Sequence, residues 1–208
     1  MAENENSKDL LSVLWAGADI LRGKMDANEY KNYLLGIVFY KYLSDTFLTH
    51  VYDLLYNKKP ESMAEAQKAY EEIFATEDAE ELLEDIKESY HYTIAPELTY
   101  TKIAEAANNN SFQRETLQKA FNNVEQSDSI FANLFADVDL YSTRLGAGEQ
   151  KQSSTIAEVV KTINEANLLN HEADVLGDAY EYLIGQFASE TGKKAGEFYT
   201  PQAVSQIL

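Results

Sequence analysis

The chain has 208 residues, 45% of them hydrophobic, and a formal net charge of −18, which is typical of a globular domain large enough to bury a core. It has no cysteine, which excludes disulfides and thiolate metal sites. The sequence shows neither an apolar run of about 18 residues nor the basic and apolar start of a secretory signal, so we expect a cytoplasmic protein with no membrane partner.

Helical periodicity begins near the N-terminus. Apolar spacing over residues 11–21 predicts a first helix that ends near Gly23. Asp26 is the expected N-cap of a long second helix over about residues 27–56, and Glu29 stands close to a capping-box position. At 1.5 Å per residue this helix is roughly 45 Å long, so we expect it to form the spine of the domain.

The rest of the chain is also predicted to be mainly helical. Residues 90–96 are a strand-like exception that ends at a proline. Residues 137–148 are predicted to form a loop, and residues 146–154 a flexible connection. The further predicted helices are Met63–Phe74, Ala79–Tyr90, about Lys102–Ala107, about Phe112–Val124, Ile156–Ala166 and a last one capped by Asp174.

The negative charge is unevenly distributed. Residues 1–60 carry 7 basic and 8 acidic residues, residues 61–140 carry 5 and 18, and residues 141–208 carry 5 and 9. The acidic middle is unsuited to a phosphate backbone, and its charges are typical of solvated helix faces. The N-terminal third is therefore the candidate DNA or partner face, through the cationic residues Arg22, Lys24, Lys31 and Lys41.

No catalytic constellation or metal site stands out in the sequence. The histidines His50, His91 and His171 form no His-Glu-x-x-His pair, so a structural or surface role is expected for each. The aromatic row of the long helix could stack on bases, but its helical spacing favours packing in the core. That row consists of Tyr30, Tyr33, Phe39, Tyr40 and Tyr42.

The C-terminal stretch from Gly192 to Pro201 is a glycine-bounded loop with two adjacent aromatic residues that leads into a helix start. Thr200 fits an N-cap and Pro201 the first helical position. The first N–H groups of a helix have no internal partner and can hold an anionic or polar ligand. The pattern predicts that a binding site begins here and that much of the machinery lies beyond Leu208.

Two sequence blocks resemble a known family. The first runs over residues 14–45 and contains Arg-Gly-Lys-Met-Asp at residues 22–26; the second runs over residues 174–184 and continues with Gly-Glu-Phe-Tyr-Thr-Pro at residues 196–201. Their order and approximate spacing resemble the N-terminal part of the modification (methyltransferase) subunit of type I restriction-modification systems. Residues 137–140 also resemble a segment of that family, and the resemblance covers essentially the whole chain.

The resemblance implies an S-adenosylmethionine-dependent DNA methyltransferase that acts on N6 of adenine. It implies a mainly α fold, with an N-terminal multi-helix bundle over residues 1–170, the start of the catalytic region over residues 171–208, and the rest of the Rossmann-like α/β domain missing. The implied partners are a specificity subunit, a second modification subunit, a restriction subunit and double-stranded DNA. The helical domain would serve subunit assembly and DNA enclosure.

The catalytic motifs of that family are missing from this sequence. It contains neither the glycine-rich Asp-Pro-x-x-Gly-x-Gly loop nor the Asn-Pro-Pro-aromatic motif, and Pro60, Pro96 and Pro201 are its only prolines. We therefore expect no catalytic residue, no metal ligand and no methylation by this chain alone. By resemblance, the cofactor neighbours are Glu197, Phe198, Tyr199 and Thr200, although the fragment is not expected to bind S-adenosylmethionine tightly.

Two other interpretations remain open. The chain could be a free-standing, non-enzymatic helical adaptor that binds a partner subunit. It could also belong to a different N6-adenine methyltransferase, such as a fused restriction-methylation enzyme that shares the Gly-Glu-Phe-Tyr-Thr-Pro loop. The block at residues 22–26 favours the type I subunit. Likewise, Phe198 and Tyr199 could dock the helical domain on the catalytic sheet instead of contacting the cofactor.

Overall fold

Helices dominate the part of the chain that the structure describes. The computed structural model describes residues 2–166 together with Gly177 and Glu181, with side chains from residue 10 onward. Residues 2–166 form no strand, and the predicted mainly α fold is confirmed. The α-helices are α1 (Ala2–Leu21), α2 (Ala27–Tyr56), α3 (Met63–Phe74), α4 (Ala79–Tyr90), α5 (Tyr100–Asn108), α6 (Arg114–Glu125) and α7 (Glu149–Asn164), and 3-10 helices form at Pro96–Leu98, Ser129–Phe131 and Thr143–Leu145.

The long helix α2 has a defined cap at each end. The Asp26 carboxylate accepts hydrogen bonds from the backbone N–H groups of Asn28 and Glu29, at 3.1 and 3.3 Å, and so satisfies two donors of the first turn. At the other end, Asn57 takes the left-handed conformation with a φ of 51°, as is common after a helix. As a result, α2 occupies the range predicted for the long helix.

The hydrophobic core forms around α2. Helices α1 and α7 pack against each other and against α2, α3 packs along α2, and α5 packs against both α2 and α7. Leu34, Ile37 and Tyr40 of α2 are fully buried, because α1, α3, α5 and α7 all pack against this helix. Gly17 of α1 lets the Leu34 side chain approach closely where the two helices meet.

Buried tyrosine hydroxyl groups tie the connecting segments to the helices. The Tyr70 hydroxyl donates to the Ile94 carbonyl at 2.7 Å, and the Tyr92 hydroxyl donates to the Leu43 carbonyl at 2.9 Å. The Tyr40 hydroxyl donates in the same way to a carbonyl of the 3-10 helix that begins at Pro96. Burial raises the pKa of Tyr70 and of Tyr92, which keeps both phenols protonated as donors.

The prediction of a strand over residues 90–96 is wrong. Tyr92 and Ile94 alternate into the core as they would in a strand, but this segment pairs with no other strand among residues 2–166. The hydroxyl of Tyr70 takes up the Ile94 carbonyl instead. Side-chain donors from helices thus replace the backbone hydrogen bonds to a neighbouring strand that an extended segment ordinarily needs.

The prediction of a flexible connection over residues 146–154 is also wrong beyond Gly148. Helix α7 begins at Glu149, and three of its polar side chains, Gln152, Ser153 and Thr155, are buried. The Thr155 hydroxyl donates to the Leu145 carbonyl at 2.8 Å, and Ser153 Oγ accepts from the Arg114 backbone N–H at 3.3 Å. These polar residues lie inside because they satisfy backbone groups of neighbouring segments.

Candidate nucleic-acid and partner interface

The turn between α1 and α2 carries the first predicted cationic residues. Gly23 adopts a φ of 86° and reverses the chain after Leu21. The Arg22 guanidinium lies 4.6 Å from the centroid of the Trp15 ring and 2.6 Å from the Asp19 carboxylate. Lys24 is exposed and forms no ion pair within the part of the chain that the structure describes. Lys24 is therefore the more available of the two charges.

The two lysines of α2 occupy different environments. Lys31 is partly exposed, whereas Lys41 lies in the core, where its ammonium group pairs with the Asp45 carboxylate one turn further along. The Lys41 ammonium also lies 5.3 Å from the centroid of the Tyr100 ring. Burial raises the pKa of Asp45, and the adjacent Lys41 charge opposes that rise.

The structure corrects the predicted cationic face at Lys41. A lysine that is 4% exposed and paired inside the core cannot reach a phosphate. The sequence reasoning missed this because a lysine and an aspartate four residues apart can pair on an exposed or on a buried helix face, and only the packing around α2 decides which. Arg22, Lys24 and Lys31 remain on the surface.

The loop between α6 and α7 lies against α2. The Tyr33 hydroxyl donates to the Asp139 carbonyl at 2.6 Å. An added Cβ at Gly36 would come within 2.6 Å of Val138, so only glycine permits this approach. The Phe135 ring stacks on Phe121, with centroids 4.1 Å apart. Residues 137–140, which resemble a family segment, are therefore held in a defined position on the spine.

The same loop also binds α7 and the start of α2. The Gln152 amide donates to the carbonyls of Tyr141 and Ser142, at 3.1 and 3.2 Å. The Arg144 guanidinium pairs with the Glu29 carboxylate in the first turn of α2. The Arg114 guanidinium lies 4.5 Å from the centroid of the Tyr141 ring. Arg114 also pairs with its neighbour Glu115, but sequence reasoning missed both arginines because the contacts with Glu29 and Tyr141 join residues more than 20 positions apart.

A groove lies between α7, the end of α5 and the segment that leads into α6. Its volume is about 550 Å³, and its walls include Asn110, Gln113, Glu158 and Lys161. The Lys161 ammonium lies 3.5 Å from the Asn110 side-chain oxygen. The mixed charges and amides of this groove give it no chemical preference that points to one ligand.

The two described histidines make structural contacts. His91 ends α4 in the left-handed conformation, and its Nδ1 lies 3.3 Å from the Asp128 carboxylate. The His50 ring packs on Tyr90, with centroids 4.6 Å apart. Within the residues that the structure describes, no cluster of His, Cys, Asp or Glu side chains is suited to a metal ion, and no helix is long and apolar enough to cross a membrane.

The predicted cofactor neighbours lie outside the described residues, as does the last predicted helix apart from Gly177 and Glu181, which are helical. This applies to Glu197, Phe198, Tyr199 and Thr200, to the Asp174 cap, and to His171. The described residues therefore include the candidate interface but not the loop that is predicted to lie near a cofactor. That loop stays a sequence prediction.

Family models identify the class to which this helical domain belongs. Residues 10–163 match the HsdM N-terminal domain, and residues 171–208 match N-6 DNA Methylase. The chain belongs to the HsdM N-terminal domain family. The resemblance to type I modification subunits that the two sequence blocks indicated is thereby confirmed.

Individual relatives point to the same kind of subunit. The type I restriction enzyme MpnII methylase subunit of Mycoplasma pneumoniae is 30% identical over 94% of this chain and 38% of its own length. The MjaIX methylase subunit of Methanocaldococcus jannaschii is 26% identical over 98% of this chain and 35% of its own length.

A solved structure shares the fold. The type I restriction-modification system methyltransferase subunit from Streptococcus thermophilus is 49% identical, with a TM-score of 0.89, over 97% of this chain and 42% of that protein. The chain thus spans about two fifths of the length of the relatives that it matches.

Proposed function

We propose that this chain is the N-terminal part of the modification subunit of a type I restriction-modification enzyme. The intact protein transfers a methyl group from S-adenosylmethionine to N6 of adenine in double-stranded DNA. The observation that carries this proposal is the order of the two family matches, since the HsdM N-terminal domain over residues 10–163 is followed directly by N-6 DNA Methylase over residues 171–208. We infer a domain boundary near residue 170, after which the catalytic α/β domain begins.

Two alternatives are less well supported. A free-standing adaptor has no need of the N-6 DNA Methylase sequence over residues 171–208. A fused restriction-methylation enzyme is disfavoured because the relatives are methylase subunits of type I enzymes.

We further propose that the helical domain serves assembly and DNA enclosure. Two modification subunits join one specificity subunit, which reads the DNA sequence, and a restriction subunit joins for cleavage, all in the cytoplasm. The domain suits such a role because a single long helix, α2, is connected by hydrogen bonds and packing to the loops that precede α5 and α7. That arrangement holds its surfaces in fixed relative positions.

The cofactor site is assigned to the C-terminal stretch of the chain. Glu197, Phe198, Tyr199 and Thr200 are proposed to lie against S-adenosylmethionine, where the aromatic faces pack on the cofactor and the Thr200 hydroxyl donates or accepts a hydrogen bond. The isolated 208-residue chain lacks the rest of the site and neither binds the cofactor tightly nor methylates DNA.

A methyl-transfer assay tests the activity. The full-length protein is combined with its specificity subunit, DNA and S-adenosylmethionine that carries a labelled methyl group, and the modified base is identified by mass spectrometry. We expect label on adenine N6 with the full-length protein and none with the 208-residue chain. Label on another base, or none from the assembled complex, would contradict the proposal.

The DNA face is tested through salt dependence. Each phosphate contact made by a lysine adds to the steepness with which DNA affinity falls as salt rises. On a plot of log affinity against log salt concentration, Lys24→Ala in the assembled complex should reduce the magnitude of the slope by about one. Lys59→Ala, at the opposite end of α2, should leave the slope unchanged. Equal slopes for both variants would remove Lys24 from the DNA face.

A further inference from the structure

Helix α4 has the weakest attachment to the core among the α-helices of residues 2–166. Ile86 is its one buried residue, whereas α3, which is also 12 residues long, buries four. Leu82, Leu83 and Tyr90 of α4 are only partly buried against the core, and no other helix of that range packs extensively on α4. Because stabilisation by burial scales with the apolar area removed from water, little holds α4 on the domain.

The exposed face of α4 is strongly acidic. From Glu77 to Tyr90 the sequence has seven carboxylates and one lysine, and all seven carboxylates are exposed. Glu80, Glu84 and Glu88 follow one another at four-residue spacing, which places like charges side by side on consecutive turns. Within the described part of the chain, none of these three takes part in an ion pair. Their repulsion therefore opposes the helix.

The N-terminus of α4 lacks the cap that the preceding helix has. At the start of α3 the Ser62 hydroxyl accepts the Glu65 N–H at 3.2 Å, but Asp78 makes no side-chain hydrogen bond to the first turn of α4. Such a helix leaves its first N–H groups to water. Glu88, near the other end, has the charge that the helix dipole disfavours there. Local interactions thus give α4 little stability of its own.

The segments on either side of α4 are, in contrast, tied to the core. Before α4, the Tyr70 hydroxyl of α3 donates to the Ile94 carbonyl at 2.7 Å. After α4, the Tyr92 hydroxyl donates to the Leu43 carbonyl at 2.9 Å. His91 lies between α4 and Tyr92 and has a φ of 67°. Because both ends of the segment are fixed, α4 can leave the core as a local unit while its neighbours stay folded.

In the closed position α4 covers part of α2. The ring of Tyr90, the last residue of α4, lies 4.6 Å from the His50 ring of α2, between centroids. Ile86, one turn earlier, is fully buried. Detachment of α4 separates Tyr90 from His50 and exposes Ile86, so the open and closed domains present different surfaces.

We propose that α4 is a strap that opens and closes over this part of α2, and that the charge of its exposed face sets the balance. At low ionic strength the carboxylates repel one another and favour the open strap. Salt shortens the range of that repulsion, from about 30 Å at 0.01 M to about 3 Å at 1 M, and favours the closed strap. The strap belongs to the helical domain and is independent of the methyl transfer proposed above.

Hydrogen–deuterium exchange of the full-length protein, followed by mass spectrometry at constant pH, tests the strap. Amides of Ala79–Tyr90 should exchange at least about a hundredfold faster than those in the buried middle of α2, because they need only a local opening. Exchange in α4 should slow as salt rises. Amides of α4 that are as protected as those of α2 would overturn the strap.

Two buried isoleucines distinguish local from global opening. Ile86→Ala removes the buried anchor of α4 and should speed its exchange. Ile156→Ala, at an equally buried position in α7, destabilises the closed and open domains alike. It should therefore speed exchange in α2 and α7 and leave that of α4 unchanged. Equal acceleration of α4 by Ile156→Ala would show that α4 opens only when the whole domain unfolds, and the strap would be overturned.

A matched pair of charge variants tests the control by repulsion. Glu84→Gln removes a carboxylate that has acidic neighbours four residues away on both sides, so exchange in α4 should slow about two- to fivefold at low salt and less at high salt. Glu158→Gln makes the same charge change on the exposed side of α7, where no carboxylate lies three or four residues away, and should leave α4 unchanged. Equal exchange in both variants would overturn the control of the strap by charge.

Discussion

Two ion pairs in this domain share the same chemistry and differ in burial. Lys41 and Asp45 of α2 are each 4% exposed, while Arg22 and Asp19 at the end of α1 are 40% and 54% exposed. Both pairs join residues of one helical turn. The buried pair belongs to the core, and only the exposed pair lies where DNA or another subunit can reach it. Burial therefore decides which cations of the N-terminal third are available for binding.

Breaking the buried pair from one side should have the largest effect. Lys41→Met leaves the Asp45 carboxylate without its partner inside the core, so the free energy of unfolding should fall by about 3–5 kcal/mol. Replacing both partners, as in Lys41→Met with Asp45→Leu, should recover most of that loss. Urea unfolding measures both variants. A single variant as stable as wild type would mean that the pair is solvated in solution.

The same variant should show a distinct pH dependence. Lys41 lowers the pKa of Asp45 against the rise caused by burial, so its removal raises that pKa further. The folded variant then retains a proton that the unfolded chain releases above about pH 4. Stability of the variant relative to wild type should therefore be highest below that pH and fall as pH rises towards the folded pKa. The difference in urea midpoint between the variant and wild type, measured at pH 4 and at pH 7, tests this. An equal difference at both pH values would contradict it.

Two uncharged residues of α7 give a second comparison between a buried and an exposed side chain, with a smaller expected effect on stability. Gln152 is buried and donates to two loop carbonyls, while Gln150, on the same helix, is exposed. Gln152→Leu leaves those carbonyls unpaired and should cost about 1–3 kcal/mol. Gln150→Leu should change stability by less than about 0.5 kcal/mol. Thermal unfolding of the two variants side by side measures the difference, and similar losses would show that the loop is not held by Gln152.

The exposed ion pair should have the smallest effect. Asp19→Asn removes one partner of Arg22 at the surface, where water screens the charges, so stability should change by no more than about 0.5 kcal/mol. The measurement is the urea midpoint at low and high salt. A loss comparable to that of Lys41→Met would mean that this turn is buried by another part of the protein.

The success of the helix predictions follows from their local causes. Asp26 caps α2 through contacts within three residues, so the sequence pattern is sufficient to locate this cap. The same is true of Met63–Phe74 and Ala79–Tyr90, whose predicted bounds match α3 and α4. In the aromatic row of α2, Tyr30, Tyr33 and Tyr40 pack in the core as their spacing predicts, whereas Phe39 is exposed.

The wrong predictions share a different cause. Residues 90–96 have strand-like alternation, but the Ile94 carbonyl accepts from the Tyr70 side chain of α3, and the Tyr92 hydroxyl donates to the Leu43 carbonyl of α2. Residues 149–154 have a polar composition that is typical of a connection. Their side chains instead form hydrogen bonds with the backbone of Arg114 and of Tyr141. In both segments the hydrogen-bonding partners lie outside the short stretch that a sequence pattern covers. Pattern alone therefore could not predict the structure of either segment.

The sequence by itself determined the helical class, the N-cap of α2 and the family, because these depend on local chemistry and on motifs that are contiguous in the chain. Tertiary structure alone decided that Lys41 is buried and Lys24 is exposed, and that the loop at Val138 and Asp139 lies against Tyr33 and Gly36 of α2. The physical reason is that burial and proximity result from the packing of segments far apart in sequence. A residue's type sets its chemistry, and only the packed neighbours set its access to water or to a partner.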